Sequence, residues 1–257
     1  MNNKEKVEFF RISIAQKNIE IECYNRTVFR QCRKYLSDFE TPDILIKYSM
    51  EEVKAEAPVV SPIEESEESY EGVATTRFYG DIESTLVLRK IADKMLSFDT
   101  FLMHGAVVAY NNNAYMFTAP SGVGKTTRIK LWCDLLPESF VVNGDKPLIK
   151  IDDAQAIACG TPWCGKEGWN TNTMVSLRAI FLLERVADGE ADSIEELTFR
   201  KAFPYLLNQV YCPKEPELMK KTLSLLKTLD GRVKIYKFRS TPTKESVKLS
   251  YETAKPE

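Results

Sequence analysis

The sequence predicts an α/β fold: a mixed sheet with flanking helices, preceded by a small N-terminal α+β region. Three observations predict it. An apolar strand at 115–118 runs into a glycine-containing loop and then into helical spacing at Ile129, Leu131, Trp132 and Leu135. A second apolar run at 106–110 precedes that strand across Asn111, Asn112 and Asn113, a tight-turn signal because Asn tolerates positive φ. Short strand-like and helix-like stretches then alternate to the end of the chain.

In chain order, residues 10–14 and 19–23 alternate as two strands around Gln16, Lys17 and Asn18, so a hairpin opens the N-terminal region. Val28, Phe29, Cys32 and Leu36 space a helix over 26–36, and 43–48 is a further strand. Residues 51–72 carry Glu64, Glu65, Glu67, Glu68 and Glu71, with Pro58 and Pro62, and predict an exposed acidic loop to which no function is assigned. Helical spacing returns at Leu86, Leu88, Ile91, Ala92 and Met95 and ends near Asp99. The expected division is therefore 1–98 for the N-terminal region and 99–257 for a nucleotide-binding domain. Beyond the glycine loop, strands are expected at 139–143, 147–151, 155–159, 177–183 and 233–238. Helices are expected at 193–210, 215–229 and 243–251.

Bulk properties exclude several classes. A chain of 257 residues with 44% hydrophobic and 28% charged residues suits a soluble globular protein with a full core. Its net charge of -2, without a long Lys/Arg run, gives no groove for a nucleic-acid backbone, and nucleic acid is not an expected partner. No stretch approaches the roughly 18 apolar residues of a membrane span, and the first residues lack a signal-peptide apolar core, so a cytoplasmic protein with no membrane partner is expected. Six scattered cysteines form no C-x-x-C pair, and a single histidine leaves a zinc site short of ligands.

The chemistry concentrates in Ala119-Pro120-Ser121-Gly122-Val123-Gly124-Lys125-Thr126, with Thr127 alongside. Gly122 and Gly124 let backbone N–H groups wrap a polyphosphate, and the start of the following helix adds partial positive charge. Ser121, Gly122, Val123, Gly124, Lys125, Thr126 and Thr127 are the expected nucleotide contacts. Lys125 would bridge the β- and γ-phosphates and the Thr126 hydroxyl would ligate Mg²⁺. Ala119 replaces the first glycine of the pattern G-x-x-x-x-G-K-[ST], which is tolerable if that position keeps a negative φ.

His104-Gly105, the hairpin, and Ser121 to Thr126, followed some twenty residues later by an acidic strand end, resemble the catalytic domain of HPr kinase/phosphorylase. The loop is similar also to that of ATP-dependent phosphoenolpyruvate carboxykinase. The resemblance is specific over about 101–185. Gly160-Thr161-Pro162-Trp163 and Leu183-Glu184-Arg185 resemble segments of bacterial HPr-kinase-related proteins. It implies the P-loop fold of that superfamily, ATP and Mg²⁺ as cofactors, and His104 close to the phosphates. It also raises a homo-oligomer. Kinases of this superfamily end the strand after the loop's helix with two consecutive aspartates, one resembling a general base and one helping to hold the metal. Here the stretch is Asn143-Gly144-Asp145-Lys146, so only the second carboxylate remains. Asp145 is thus the expected metal partner of Thr126, and Lys125, Asp145 and His104 are the expected catalytic residues. His104 is open to either electrostatic and proton-transfer work or a structural role.

Residues 161–170, with Trp163, Trp169 and Lys166, are expected to form a mobile loop over the substrate. Lys166 and Arg178 are weaker substrate-contact candidates, and Arg178, Glu184 and Arg185 also suit structural ion pairs. The leading expectation is an ATP-dependent phosphotransferase acting on a hydroxyl of a protein or small molecule. Phosphoenolpyruvate carboxykinase-like activity and an ATP-binding accessory protein of weak catalytic power are the alternatives. No ABC signature and no N-K-x-D guanine motif is present.

Overall fold

The computed structural model describes residues 8–56, 71–186 and 190–256. The chain divides into two compact units, Met1–Lys94 and Met95–Glu257.

In the first unit, β1 (Glu8–Ile14) and β2 (Lys17–Cys23) form an antiparallel hairpin, and β3 (Ile44–Ile46) joins β2 in parallel. The turn falls on Ala15 and Gln16, both at positive φ, one residue earlier than the polar triplet 16–18 suggests. Two consecutive left-handed residues match the twist of the flanking strands, and this geometry overrides local polarity. Helix α1 (Arg26–Cys32) starts where the Asn25 side chain accepts from Thr27 N at 2.8 Å, and a 3₁₀ turn, Arg33–Tyr35, continues it. Part of the expected acidic loop is helical. In α2 (Met50–Glu56), Ser49 N donates to the Glu52 carboxylate and Glu52 N donates back to Ser49 Oγ, a reciprocal cap that starts a helix in spite of the charge. The rest of that loop, 57–70, lies outside the described residues. Helix α3 (Glu71–Met95) buries Ile82, Val87 and Ile91 together with Glu83. Glu83 is 1% exposed and accepts from Tyr24 N and Tyr48 Oη, each at 2.6 Å.

The second unit is a mixed α/β structure around a nine-stranded sheet. Its strands are β4 (Thr100–Leu102), β5 (Ala106–Tyr110), β6 (Asn113–Thr118), β7 (Phe140–Asn143), β8 (Leu148–Ile151), β9 (Ala156–Cys159), β10 (Met174–Glu184), β11 (Ser193–Glu196) and β12 (Lys234–Arg239). β6, β10 and β12 run parallel, whereas the remaining pairings are antiparallel. The eleven residues of β10 let it serve two partners along one edge: its first residues pair with β9 and its last with β12.

Alternate residues of the central strands feed two cores. Val107, Met116, Ile180 and Leu182 face α5 (Phe199–Leu207) and α6 (Pro216–Lys227), which contribute Leu206, Leu225 and Leu226. Val108, Tyr115, Phe117 and Phe181 face α4 (Lys125–Leu135) and α7 (Lys244–Ala254), which contribute Ile129, Trp132 and Val247. Burial on both faces is why these strands read as nearly continuous apolar runs. The helix expected over 193–210 is instead β11 followed by α5. Residues 193–196 add to the free edge of β12, with Ile194 opposite Phe238, and pairing with that edge outweighs the weak helical spacing.

Candidate functional site

β6 leads through Ala119–Gly124 into α4, so the glycine loop sits between a parallel strand and the start of a helix. Gly122 has φ +80° and Gly124 φ +105°, and a Cβ at either would meet nothing within 4 Å. Backbone conformation, not crowding, therefore demands glycine at both. Ala119 is buried and has no positive φ, so alanine fits where the usual pattern has glycine. Gly124 provides no side-chain cap and the first turn of α4 holds no acidic residue, so among the described residues no side chain caps its N–H groups. Ser121 is exposed, Val123 and Thr126 are half-buried and Thr127 is exposed. Lys125 is only 8% exposed and folds back to donate to the carbonyls of Ala119 (2.9 Å) and Pro120 (3.3 Å). Burial lowers its pKa, the charge of Asp145 works against that, and Lys146 reinforces it.

Asp145 is held on a turn that Asn143 builds. The fully buried Asn143 accepts from Asp145 N (2.8 Å) and Lys146 N (2.7 Å) through Oδ1, while its Nδ2 donates to the Thr161 carbonyl and hydroxyl. His104 Nε2 lies 3.2 Å from Asp145 Oδ1, and Lys146 Nζ 2.8 Å from Oδ2. Burial raises the Asp145 pKa, but the hydrogen bonds and charges of His104 and Lys146 outweigh it and hold the carboxyl down at about 2. Thr118, the last residue before the glycine loop, donates to the His104 carbonyl at 2.7 Å, and Gly105 N donates to the Asp145 carbonyl at 2.9 Å. Strand end, histidine and carboxylate thus form one hydrogen-bonded chain, and Lys125 feels the Asp145 charge.

A Cβ on Gly144 would lie 2.6 Å from the Cys164 carbonyl oxygen and 3.3 Å from that of Trp169, both backbone atoms. The position is closed to any side chain. The cause is the 161–171 segment, whose main chain is hydrogen-bonded to the 142–146 stretch on both sides of the exposed turn at 165–168. Gly144 N donates to Trp169 O, Lys146 N to Trp163 O and Thr171 N to Val142 O. Trp163 is 7% exposed, which answers the cost of an exposed indole. Lys166 is exposed on the turn at 165–168.

Arg178 is not brought to the loop. Its Nε donates to the Ala254 carbonyl at 3.3 Å, and it lies four residues, ~13 Å of strand, before Leu182, which pairs with Thr118. Glu184 pairs with Lys237 at 3.1 Å. Two contributors were not singled out from the sequence, Asn143 and Lys146, and a third, Arg185, was expected only as an ion-pair residue, whereas its Nη2 donates to the Gly122 carbonyl at 2.6 Å. An Asn-Gly-Asp turn at a strand end signals the first; nothing local signals that Arg185 reaches the loop.

No protein-family model matches the chain, and no curated protein matches it. Among solved structures, the chain is similar to the Hpr(Ser) kinase/phosphatase from Coxiella burnetii. That match has 11% identity and a TM-score of 0.29, and covers 49% of this chain and 88% of the other. Among the described residues no helix is long and apolar enough to cross a membrane, and no three His, Cys, Asp or Glu side chains group as a metal cluster.

Proposed function

We propose that residues 99–257 form a P-loop domain of the HPr kinase-like type that binds ATP with Mg²⁺ and transfers its γ-phosphoryl group to a hydroxyl of a protein or small molecule. The observation that carries this reading is the 119–127 loop. Two left-handed glycines precede a helix start with no side-chain acceptor, beside a buried lysine whose hydrogen bonds go to main-chain carbonyls. A triphosphate supplies the acceptors that arrangement lacks.

Mg²⁺ needs only one or two protein oxygens beside phosphates and waters, so Thr126 and Asp145 would be the residues to hold it. The ion would neutralise charge on the β- and γ-phosphates. Lys125 exchanges its carbonyl partners for phosphate oxygens. Asp145, ionised across the ordinary pH range, orients the His104 imidazole and would orient the waters of a bound Mg²⁺. In transfer, the acceptor oxygen bonds to the γ-phosphorus as the bond to the β–γ bridging oxygen breaks, leaving ADP. Gly144 offers no carboxylate, so the hydroxyl's proton passes to the transferred phosphoryl group or to His104.

The closed Gly144 position favours one second reading, a protein that binds ATP but transfers phosphate poorly. Incubation with γ-labelled ATP, Mg²⁺ and candidate acceptors separates the two. Label on an acceptor supports the phosphotransferase, and binding with neither transfer nor hydrolysis supports the accessory role.

A further inference from the structure

The cations near the C-terminal ends of the sheet's parallel strands fall into two groups. Lys146 sits 2.8 Å from Asp145, Lys237 3.1 Å from Glu184 and Arg239 2.6 Å from Glu190, so each is neutralised by a carboxylate. Lys125 and Arg185 have no carboxylate at ion-pair distance among the described residues, and both are hydrogen-bonded to carbonyls of the same glycine loop. Lys125 approaches from inside the loop. Arg185 approaches from the end of β10, from an exposed position, and reaches Gly122 at 2.6 Å. Cations with no neutralising carboxylate, on a loop whose N–H groups already suit an anion, make a site of greater positive potential than the loop alone.

We propose that Arg185 is a second polyphosphate-binding residue, which leaves the Gly122 carbonyl and takes the terminal phosphate of a bound nucleoside triphosphate. This rests on the nucleotide reading above. The guanidinium is permanently charged and carries five N–H donors in a planar fork, which matches two phosphate oxygens far better than one peptide carbonyl. Exchange costs one hydrogen bond and gains a bidentate, charge-assisted pair. Its exposure keeps the desolvation penalty small. Arg185 thereby distinguishes triphosphate from diphosphate, whereas Lys125 and the helix start hold the phosphates common to both.

The test is titration of the full chain with Mg·ATP and Mg·ADP, for wild type, Arg185→Gln, Arg185→Lys and Lys125→Ala, with ligand-free melting temperatures recorded beside them. The expected result is that Arg185→Gln weakens ATP about 10-fold and ADP less than about 2-fold, with Arg185→Lys recovering part of the loss. Equal weakening of both nucleotides makes the arginine a clasp for the loop and overturns the proposal, as does unchanged ATP affinity in a variant that melts like wild type. If Lys125→Ala loses affinity while Arg185→Gln does not, the nucleotide reading stands and the Arg185 assignment alone fails. A wild type that binds neither nucleotide overturns both.

Discussion

Asp145 has the His104 imidazole on one carboxylate oxygen and the Lys146 ammonium on the other, and that arrangement has a pH signature. Its carboxyl titrates at about 2 in the folded chain against 3.8 for an ordinary aspartate, so the contribution is present above about pH 4 and is lost as the pH falls towards 2. With the site about one third exposed, a shift of that size is worth roughly 1–2 kcal/mol. Urea denaturation without magnesium should therefore show wild type losing about that much more stability than Asp145→Asn between pH 4 and pH 2. Parallel curves would contradict the pairing. Gly144 makes the opposite kind of prediction. Its Cα faces backbone oxygens that cannot rotate away, so Gly144→Ala should cost about 1–3 kcal/mol in the same assay, and Gly144→Asp should not create a working carboxylate. At this scale the sequence was legible where contacts are local. The loop glycines, Lys125 and Thr126 follow from spacing, because one strand, one turn and one helix build them. Closure of Gly144 comes from a segment some twenty residues on, and the Arg185 contact spans 63 residues, so neither leaves a local trace.

Helix α4 joins the loop to the rest of its layer through Arg128, which is 3% exposed. It donates to Ser246 Oγ (2.8 Å) and the Ser240 carbonyl (3.3 Å), and lies 4.7 Å from the Phe238 ring centre. Burial brings its pKa down to about 10, against the opposing charge of Asp192. Because its hydrogen-bond partners are neutral, much of its value is packing rather than ion pairing. Arg128→Ala should lose about 2–4 kcal/mol, while Arg128→Met, which keeps the volume, should stay within about 1 kcal/mol of wild type. A methionine variant as unstable as the alanine one would show that the charge is required. The elements least legible from sequence were those settled by partners. The edge of β12 draws 193–196 out of the expected helix, and the Ser49 and Glu52 cap turns part of an acidic stretch into α2.

At the scale of the whole chain, every residue assigned to phosphate or metal lies within Met95–Glu257, and Glu83 belongs to Met1–Lys94. Replacing Glu83 by Ala removes the carboxylate that accepts from the buried Tyr48 hydroxyl and from Tyr24 N–H, at a cost of about 2–3 kcal/mol. Nucleotide affinity measured well below the melting temperature should nevertheless stay within about 2-fold of wild type, a change worth ~0.4 kcal/mol. A large loss of affinity would show that the N-terminal unit takes part in the site. The alternation of apolar runs made the mixed sheet legible, since strands buried on both faces announce themselves by composition. The two-partner use of β10 was not legible, because nothing in an eleven-residue apolar strand says where one neighbour ends and the next begins. The most direct measurement is calorimetric titration of wild type and Lys125→Ala with ATP, with and without magnesium. The prediction is magnesium-dependent binding by wild type, weakened about 10- to 100-fold when the buried ammonium is removed, as expected for charge-assisted bonds of about 1.5–3 kcal/mol. Absence of magnesium-dependent affinity for any purine nucleotide, or equal affinity in the two proteins, would contradict it.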